Sequence, residues 1–226
     1  MLEKEAVGNP SGNPVGNPLG NVGGPEIGTG DPTEMGAVAG VISRGMRDNP
    51  THVAALGEDP RLRERRVRRI FARVLPAMGH SLILARNPDG AVVGVLGMAA
   101  PGRCQPNARQ RARLTLGLLP LGPRALSRSL RWVGAWEKRD PEERHWHLGP
   151  VAVDAHLQGM GIGSKLMRVF CAQMDAAGED AYLETDKPEN VRFYERFGFE
   201  VVGEEDVLGV PNWYMARRPR ARSGQK

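Results

Sequence analysis

Residues 151–177 read Val151-Ala152-Val153-Asp154, then Gln158-Gly159-Met160-Gly161-Ile162-Gly163-Ser164, then an amphipathic run through Leu166, Phe170 and Met174 to Ala177. This is a strand, a glycine-rich loop and a helix. Glycine lets a ligand approach the backbone closely, and the exposed N–H groups that open a helix favour an anion such as a pyrophosphate. The loop is not a P-loop, because Lys165 follows Gly163-Ser164 where a P-loop has Gly-Lys-Ser/Thr. Nor is it a dinucleotide fingerprint, since the glycine spacing differs and no repeated βαβ pattern surrounds it.

Working towards the N-terminus, His145–Asp154 is the strand that enters the loop. Ser81–Arg86 and Ala91–Ala100 are aliphatic runs parted by Asn87-Pro88-Asp89-Gly90, which predicts an antiparallel hairpin. Gly102–Arg144 interrupts the strands with a basic, largely helical insertion. Its last helix opens at Gly122-Pro123 and carries Leu126, Leu130, Val133 and Trp136 at helical spacing. Trp132 and Trp136 share a face of that helix, and an insertion of this length is a candidate substrate lid. Further upstream, Thr33 is the expected cap of a helix through Met35, Val38, Ile42 and Met46, closed by Asn49-Pro50. A second helix, Arg61–Leu75, carries seven arginines between Arg61 and Arg73, read as a solvated face.

Downstream of the loop, Ala181–Glu184 reads as a strand, Glu189–Arg196 as a helix closed by Gly198, and Phe199–Gly203 with Trp213–Ala216 as a final strand pair. The order is mixed α/β. The domain is expected over residues 31–216, behind a Gly/Asn/Pro-rich tail over 1–30 whose Gly-Asn-Pro repeat offers almost nothing to bury. A basic C-terminal tail over 217–226 is expected to follow.

The chain has 226 residues, 40% of them apolar, enough for one domain with its own core. Two cysteines, Cys104 and Cys171, exclude a disulfide scaffold and fit a cytoplasmic protein. Met1–Ala6 leads into no apolar run, so no secretory signal is expected. The longest nearly apolar run, Ala91–Pro101, is too short to cross a bilayer. Of the net charge of +5, Arg217, Arg218, Arg220, Arg222 and Lys226 supply all five, so no nucleic-acid partner is expected.

With Asn190-Val191-Arg192-Phe193-Tyr194-Glu195-Arg196-Phe197-Gly198-Phe199 added, the strand, loop and helix resemble the GNAT superfamily of acyl-CoA-dependent N-acetyltransferases. The resemblance spans roughly 35–216 and is strongest over 145–203. Leu183-Glu184-Thr185 and Trp213-Tyr214-Met215 are similar to its puromycin N-acetyltransferase branch. The resemblance implies an α/β mixed sheet, with the helical insertion between the third and fourth strands. Its first strand would lie in Pro25–Gly30, Gly-rich where the superfamily is aliphatic.

The resemblance further implies acetyl-CoA as co-substrate. Backbone amides of Gln158, Gly159, Met160, Gly161, Ile162, Gly163 and Ser164 would hold its pyrophosphate, and the strand Val151, Ala152, Val153 would pair with pantetheine. Asn190 would contact the cofactor, and Tyr194 would stand near the sulfur as general acid. His147 occupies the position, four residues before Val151, at which the histone-acetyltransferase branch carries its glutamate base; Glu184 is the rival base. Period-two alternation puts His145 and His147 on one strand face, but the sequence offers no third ligand, so no metal is expected.

Cys171 lies in a helix stripe and reads as structural, which leaves direct transfer without an acyl-enzyme. The expected reaction is acetylation of a primary amine of a small molecule by a monomer or homodimer, without nucleic acid or membrane. The alternatives are a protein lysine or N-terminal acetyltransferase, and a non-catalytic acyl-CoA-binding regulator.

Overall fold

Leu82, Ile83, Leu84 and Ala85 alternate between the two faces of a strand, and all four are buried. Leu82 and Leu84 join one hydrophobic cluster, Ile83 and Ala85 another. A strand buried on both sides belongs to the middle of a three-layer arrangement, and that is the architecture of residues 24–220, which the computed structural model describes.

The sheet has seven strands: β1 (Glu26–Thr29), β2 (Ser81–Arg86), β3 (Val92–Ala99), β4 (Trp146–Val153), β5 (Ala181–Thr185), β6 (Glu200–Val207) and β7 (Val210–Arg217). Their order is β1-β2-β3-β4-β5-β7-β6, with β4 and β5 parallel and every other pair antiparallel. One face is covered by α1 (Met35–Met46), α2 (Pro50–Leu56), α3 (Pro60–Met78) and, from the insertion, α5 (Pro123–Glu137), which follows α4 (Ala108–Leu118). The other is covered by α6 (Ile162–Ala177) and α7 (Pro188–Glu195), around Leu166, Phe170 and Phe199.

The expected hairpin is present, with Asn87 closing its turn through bonds to Ala91. The insertion lies between the third and fourth strands, as expected. Three sequence boundaries are corrected. β1 lies inside the stretch assigned to the N-terminal tail, because its backbone pairs with β2 in the register Glu26↔Arg86 to Thr29↔Ile83; the Gly-Asn-Pro repeat lies outside the described residues. Arg217 belongs to β7 and not to a basic tail: its buried guanidinium bonds Phe197 O and pairs with Asp175 at 2.7 Å. Pro50, before which the first run does end, with α1 stopping at Met46, also opens a further helix: it occupies the first turn of α2, where its missing N–H costs nothing. Thr33 does not cap α1: it lies inside a 3-10 turn, Pro32–Glu34, that leads into α1 and is itself capped by Asp31 in a capping box with Glu34.

The arginine face of α3 is also less solvated than expected. Arg63 is buried and donates to the carbonyls of Arg47, Gly57 and Glu58, and Arg66 donates to Leu56 O and Leu121 O, so the two cover carbonyls left open at the ends of α1 and α2 and in the insertion.

The feature that makes a site is a fault in the sheet. Between Leu96↔Val151 and Met98↔Leu148, β4 carries one residue more than β3. This is a β-bulge, which bends the strand that holds it. Gly97 lies opposite, where a Cβ would meet Gly149 O at 2.9 Å and Pro150 Cδ at 2.9 Å. Beyond the bulge β4 leaves β5: the parallel pairing covers only Trp146↔Ala181 and His147↔Tyr182.

Candidate active site

The gap between β4 and β5 is lined by backbone. Asp154 N donates to Val93 O on β3. By the alternation of an antiparallel ladder, Val151 and Val153 then point their peptide groups away from β3, towards the gap. The end of β4 is held from behind by Arg44 of α1, which grips Asp154 at 2.6 Å, and by Gly45, whose hydrogen faces Val153 O where any side chain would collide. Gln158 turns back to donate to Gly45 O at 3.0 Å and Val153 O at 3.1 Å. Its side chain therefore locks the loop to α1, a role sequence reasoning did not assign.

Within the loop, Gly159 and Gly161 have φ of +80° and +79°, which L side chains rarely adopt, and open space where a Cβ would stand. The glycines serve the backbone path, so that α6 begins at Ile162 with Gly161 as its N-cap and no side-chain cap. Its first-turn N–H groups are left for an anion. Met160 is exposed, Ile162 is buried in the core, and Gly163 and Ser164 form the first turn. Ala152 faces the opposite core from Val151 and Val153. These are the conditions an acyl-CoA pyrophosphate and pantetheine require: donors from main chain, an open strand edge and no carboxylate side chain in the loop.

Tyr194 of α7 is buried beside Phe193 and Phe199, with ring centroids 5.2 Å and 5.9 Å away. Burial pushes its phenol pKa well up, with the nearby Asp186 adding to the effect, so the proton stays on the oxygen at neutral pH. Its hydroxyl has no hydrogen-bond partner among the described residues. Asn190 donates to Thr185 Oγ1 at 3.0 Å, at the end of β5.

Behind the bulge the chemistry changes from backbone to charge. His147 and Glu184, named from sequence as rivals, are joined: His147 Nε2 lies 3.0 Å from Glu184 Oε2. The other nitrogen, Nδ1, lies 3.3 Å from Asp140 Oδ1, which also meets His145 Nε2 at 3.2 Å. Cys104 Sγ is 3.6 Å from His145 Nε2. Burial disfavours the imidazolium of His147, but Glu184 and Asp140 overcome it and hold the pKa well above the usual range. His145, opposed by the same burial, is raised to about 10 by Asp140 and Cys104. Burial pushes the Cys104 thiol up, and the two histidines more than reverse this, to about 7.

The expectation that His145 and His147 lack further partners is therefore corrected. The fold supplies Cys104 and Asp140 from the two ends of the insertion, a closure that local spacing does not encode. Tyr182 of β5 stacks edge-on against both imidazoles, 5.5 Å and 5.7 Å away, and donates to Arg139 O.

A family profile described as the acetyltransferase (GNAT) family matches residues 52–199, and these contain the bulged strand, the glycine loop, α6 and Tyr194. The chain belongs to the GNAT acetyltransferase family. As a GNAT protein it is an acyl-CoA-dependent N-acetyltransferase with acetyl-CoA as co-substrate. Its fold is shared with an acetyltransferase of Corynebacterium glutamicum described as histone acetyltransferase HPA2 and related acetyltransferase. That pair is 20% identical over 89% of this chain and 99% of the other, with a TM-score of 0.66. The ribosomal-protein-S18-alanine N-acetyltransferase of Escherichia coli is 12% identical over 89% and 97%, with a TM-score of 0.51. A GNAT acetyltransferase of Brucella melitensis, solved with acetyl-CoA, is 18% identical over 89% and 92%, with a TM-score of 0.50. Among the described residues no helix of this GNAT chain is long and apolar enough to cross a membrane.

Proposed function

We propose that the protein transfers the acetyl group of acetyl-CoA directly to a primary amine of a small molecule. The observation that carries the choice of a small acceptor is the seating of the insertion. Trp136 donates to Asn212 on β7 at 3.0 Å, Arg139 pairs with Glu205 on β6 at 2.8 Å, and Trp132 packs edge-on against Trp136 and His52, both 5.0 Å away. A polypeptide acceptor needs an open groove along the strands beside Glu184, and the insertion is tied down across them.

In this reading the peptide groups of Val151 and Val153 hold pantetheine, the amides of 158–164 hold the pyrophosphate, and Asn190 borders the cofactor. The amine nitrogen attacks the thioester carbon and its proton passes to the His147–Glu184 pair. Glu184 Oε1, which takes no partner among the described residues, is the receiving atom, and His147 orients the carboxylate through Oε2. The C–S bond then breaks as the Tyr194 hydroxyl donates a hydrogen bond to the departing sulfur. Burial leaves the phenol a weaker acid than a thiol of ordinary pKa, about 8.5, so Tyr194 stabilises the charge that develops on sulfur during the collapse, and CoA leaves as the thiolate, to be protonated by solvent.

The likeness of Leu183-Glu184-Thr185 and Trp213-Tyr214-Met215 to puromycin N-acetyltransferase makes aminoacyl nucleosides the first acceptors to try. The test is acetyl-CoA consumption across a panel of small amines, aminoacyl nucleosides and lysine or N-terminal peptides. Turnover confined to small amines supports the reading. Turnover confined to peptides, or binding of acetyl-CoA with no turnover on any amine, overturns it in favour of a protein acetyltransferase or a non-catalytic acyl-CoA-binding regulator.

A further inference from the structure

Cys104, Asp140, His145 and His147 come from three separate stretches of chain, and each turns one atom towards a common point. The four atoms, Sγ, Oδ1, Nε2 and Nδ1, all lie within 4.8 Å of one another. Asp140 Oδ1 stands 3.2 Å and 3.3 Å from the two histidine nitrogens, and Cys104 Sγ 3.6 Å from His145 Nε2. A tetrahedral zinc ion, with Zn–N and Zn–O near 2.0–2.1 Å and Zn–S near 2.3 Å, spaces its ligand atoms by about 3.3–3.6 Å. Three of the separations, 3.2, 3.3 and 3.6 Å, are close to those a zinc ion imposes, and the other pairs, all within 4.8 Å, need only a small closure to reach them.

The surroundings fix the remaining valences. A ligating histidine donates its other ring N–H to a carbonyl or carboxylate, which sets the tautomer and directs the free lone pair at the metal. Both histidines do so. His145 Nδ1 lies 2.7 Å from Glu143 O, and His147 Nε2 lies 3.0 Å from Glu184 Oε2. The second oxygen of Asp140 accepts from Gln105 Nε2 at 3.2 Å, leaving Oδ1 for the centre. The side chains of His145 and Asp140 are 7% and 11% exposed, and Tyr182 walls the cluster on the side of β5. A cavity of about 460 Å³ reaches Cys104, Asp140 and His145 from outside and supplies an entry path.

We propose that Cys104, Asp140, His145 and His147 bind one zinc ion, which staples both ends of the helical insertion to β4. One thiolate, two imidazoles and one carboxylate are a soft-to-borderline set that suits zinc and is poor for magnesium or calcium. Without the ion, His145 Nε2 and His147 Nδ1 converge on the same oxygen of Asp140. With it, each ligand atom has its own bond. Cys104 lies beyond the end of β3 and Asp140 beyond the end of α5, so the ion closes the 102–144 excursion at its base. It also holds His147 by Nδ1 while Nε2 faces Glu184, and so links the staple to the orientation of the carboxylate. The four-residue geometry is independent of which amine is acetylated.

The test uses the tag-free full chain. Mass spectrometry of protein purified from zinc-replete cells is expected to give one zinc per chain. Cobalt titrated into metal-stripped protein is expected to give the strong visible bands of a tetrahedral site together with a near-ultraviolet thiolate-to-cobalt charge-transfer band. Cys104→Ser should remove the charge-transfer band, and Asp140→Asn should weaken cobalt binding by at least about tenfold; Cys171→Ser should change neither. Zinc should raise the melting temperature of the stripped wild-type chain. Folded wild-type protein that takes up neither zinc nor cobalt overturns the proposal, as does a charge-transfer band that survives Cys104→Ser. Should Cys104→Ser not fold, the wild-type titration and Asp140→Asn decide alone. Because these readouts need no acetyl transfer, their failure is distinct from failure to find an acceptor.

Discussion

The two sides of the β4–β5 fault are built from different materials. Towards α6 the site consists of peptide groups and glycines: Val151, Val153, Gly159 and Gly161 contribute no charged atom. Towards the insertion it consists of buried and half-buried side chains, with His147, Glu184, Asp140, His145 and Cys104 in one connected network. A backbone-built site is indifferent to most side-chain truncations and intolerant of a changed dihedral angle. A charge-built site is the reverse, and it is sensitive to pH and to ions. In the proposed reading the acyl donor meets the backbone side and the acceptor meets the side that the insertion lines.

The largest effect should come from breaking the backbone side. Gly161→Asp forces a Cβ onto φ of +79° and puts a carboxylate at the pyrophosphate position, so acetyl-CoA binding should vanish in calorimetry while the helix content stays native. Unchanged affinity would mean that the loop does not hold the cofactor.

Next in size is Tyr194→Phe, which removes one hydroxyl and little shape. Single-turnover transfer should slow by about 10²–10⁴-fold with the KM for acetyl-CoA nearly unaltered. A variant that retains most of its rate returns Tyr194 to core packing. Glu184→Gln removes the proposed proton acceptor on the other side of the fault and should lower kcat by about 10²-fold without weakening acetyl-CoA binding. Weakened acetyl-CoA binding in that variant would show that the two sides are not separate.

Much of the backbone side was legible in the sequence, because its determinants are local. Glycines at the entrance to a helix, an aliphatic strand before them and Asn190 through Phe199 after them lie within one stretch of chain. β1 was concealed by its composition: Ile27 is the one large aliphatic residue in Glu26–Thr29, and the strand is stabilised by pairing with β2 rather than by its own pattern. The charge side was legible only in part. His147 and Glu184 were named separately, because nothing local shows that β4 and β5 bring them within 3.0 Å. Cys104 and Asp140 were missed as partners, because only the return of α5 to the sheet brings residues from the two ends of the insertion together.

A smaller effect concerns acid stability. His52, packed edge-on against Trp132 of the insertion, is held near a pKa of about 3 by burial, against 6.5 when exposed. The folded state thus excludes a proton that the unfolded state takes up. The stabilisation is complete above pH 6.5 and is lost as pH falls towards 3, at up to about 1.4 kcal/mol per unit. Urea unfolding between pH 7 and 5 should show this slope, and His52→Gln should reduce it, the remainder coming from His80, which burial holds at about 4. A slope unaffected by the substitution would assign acid sensitivity to another group.

The claim that the donor site is made of backbone is tested most directly by amide hydrogen exchange with and without acetyl-CoA. The account predicts that added acetyl-CoA slows exchange at Val151, Val153 and the amides of Gly159–Ser164, and leaves β2 and β3 unchanged. Binding that leaves those amides as they were, with protection appearing instead around the insertion, would contradict it.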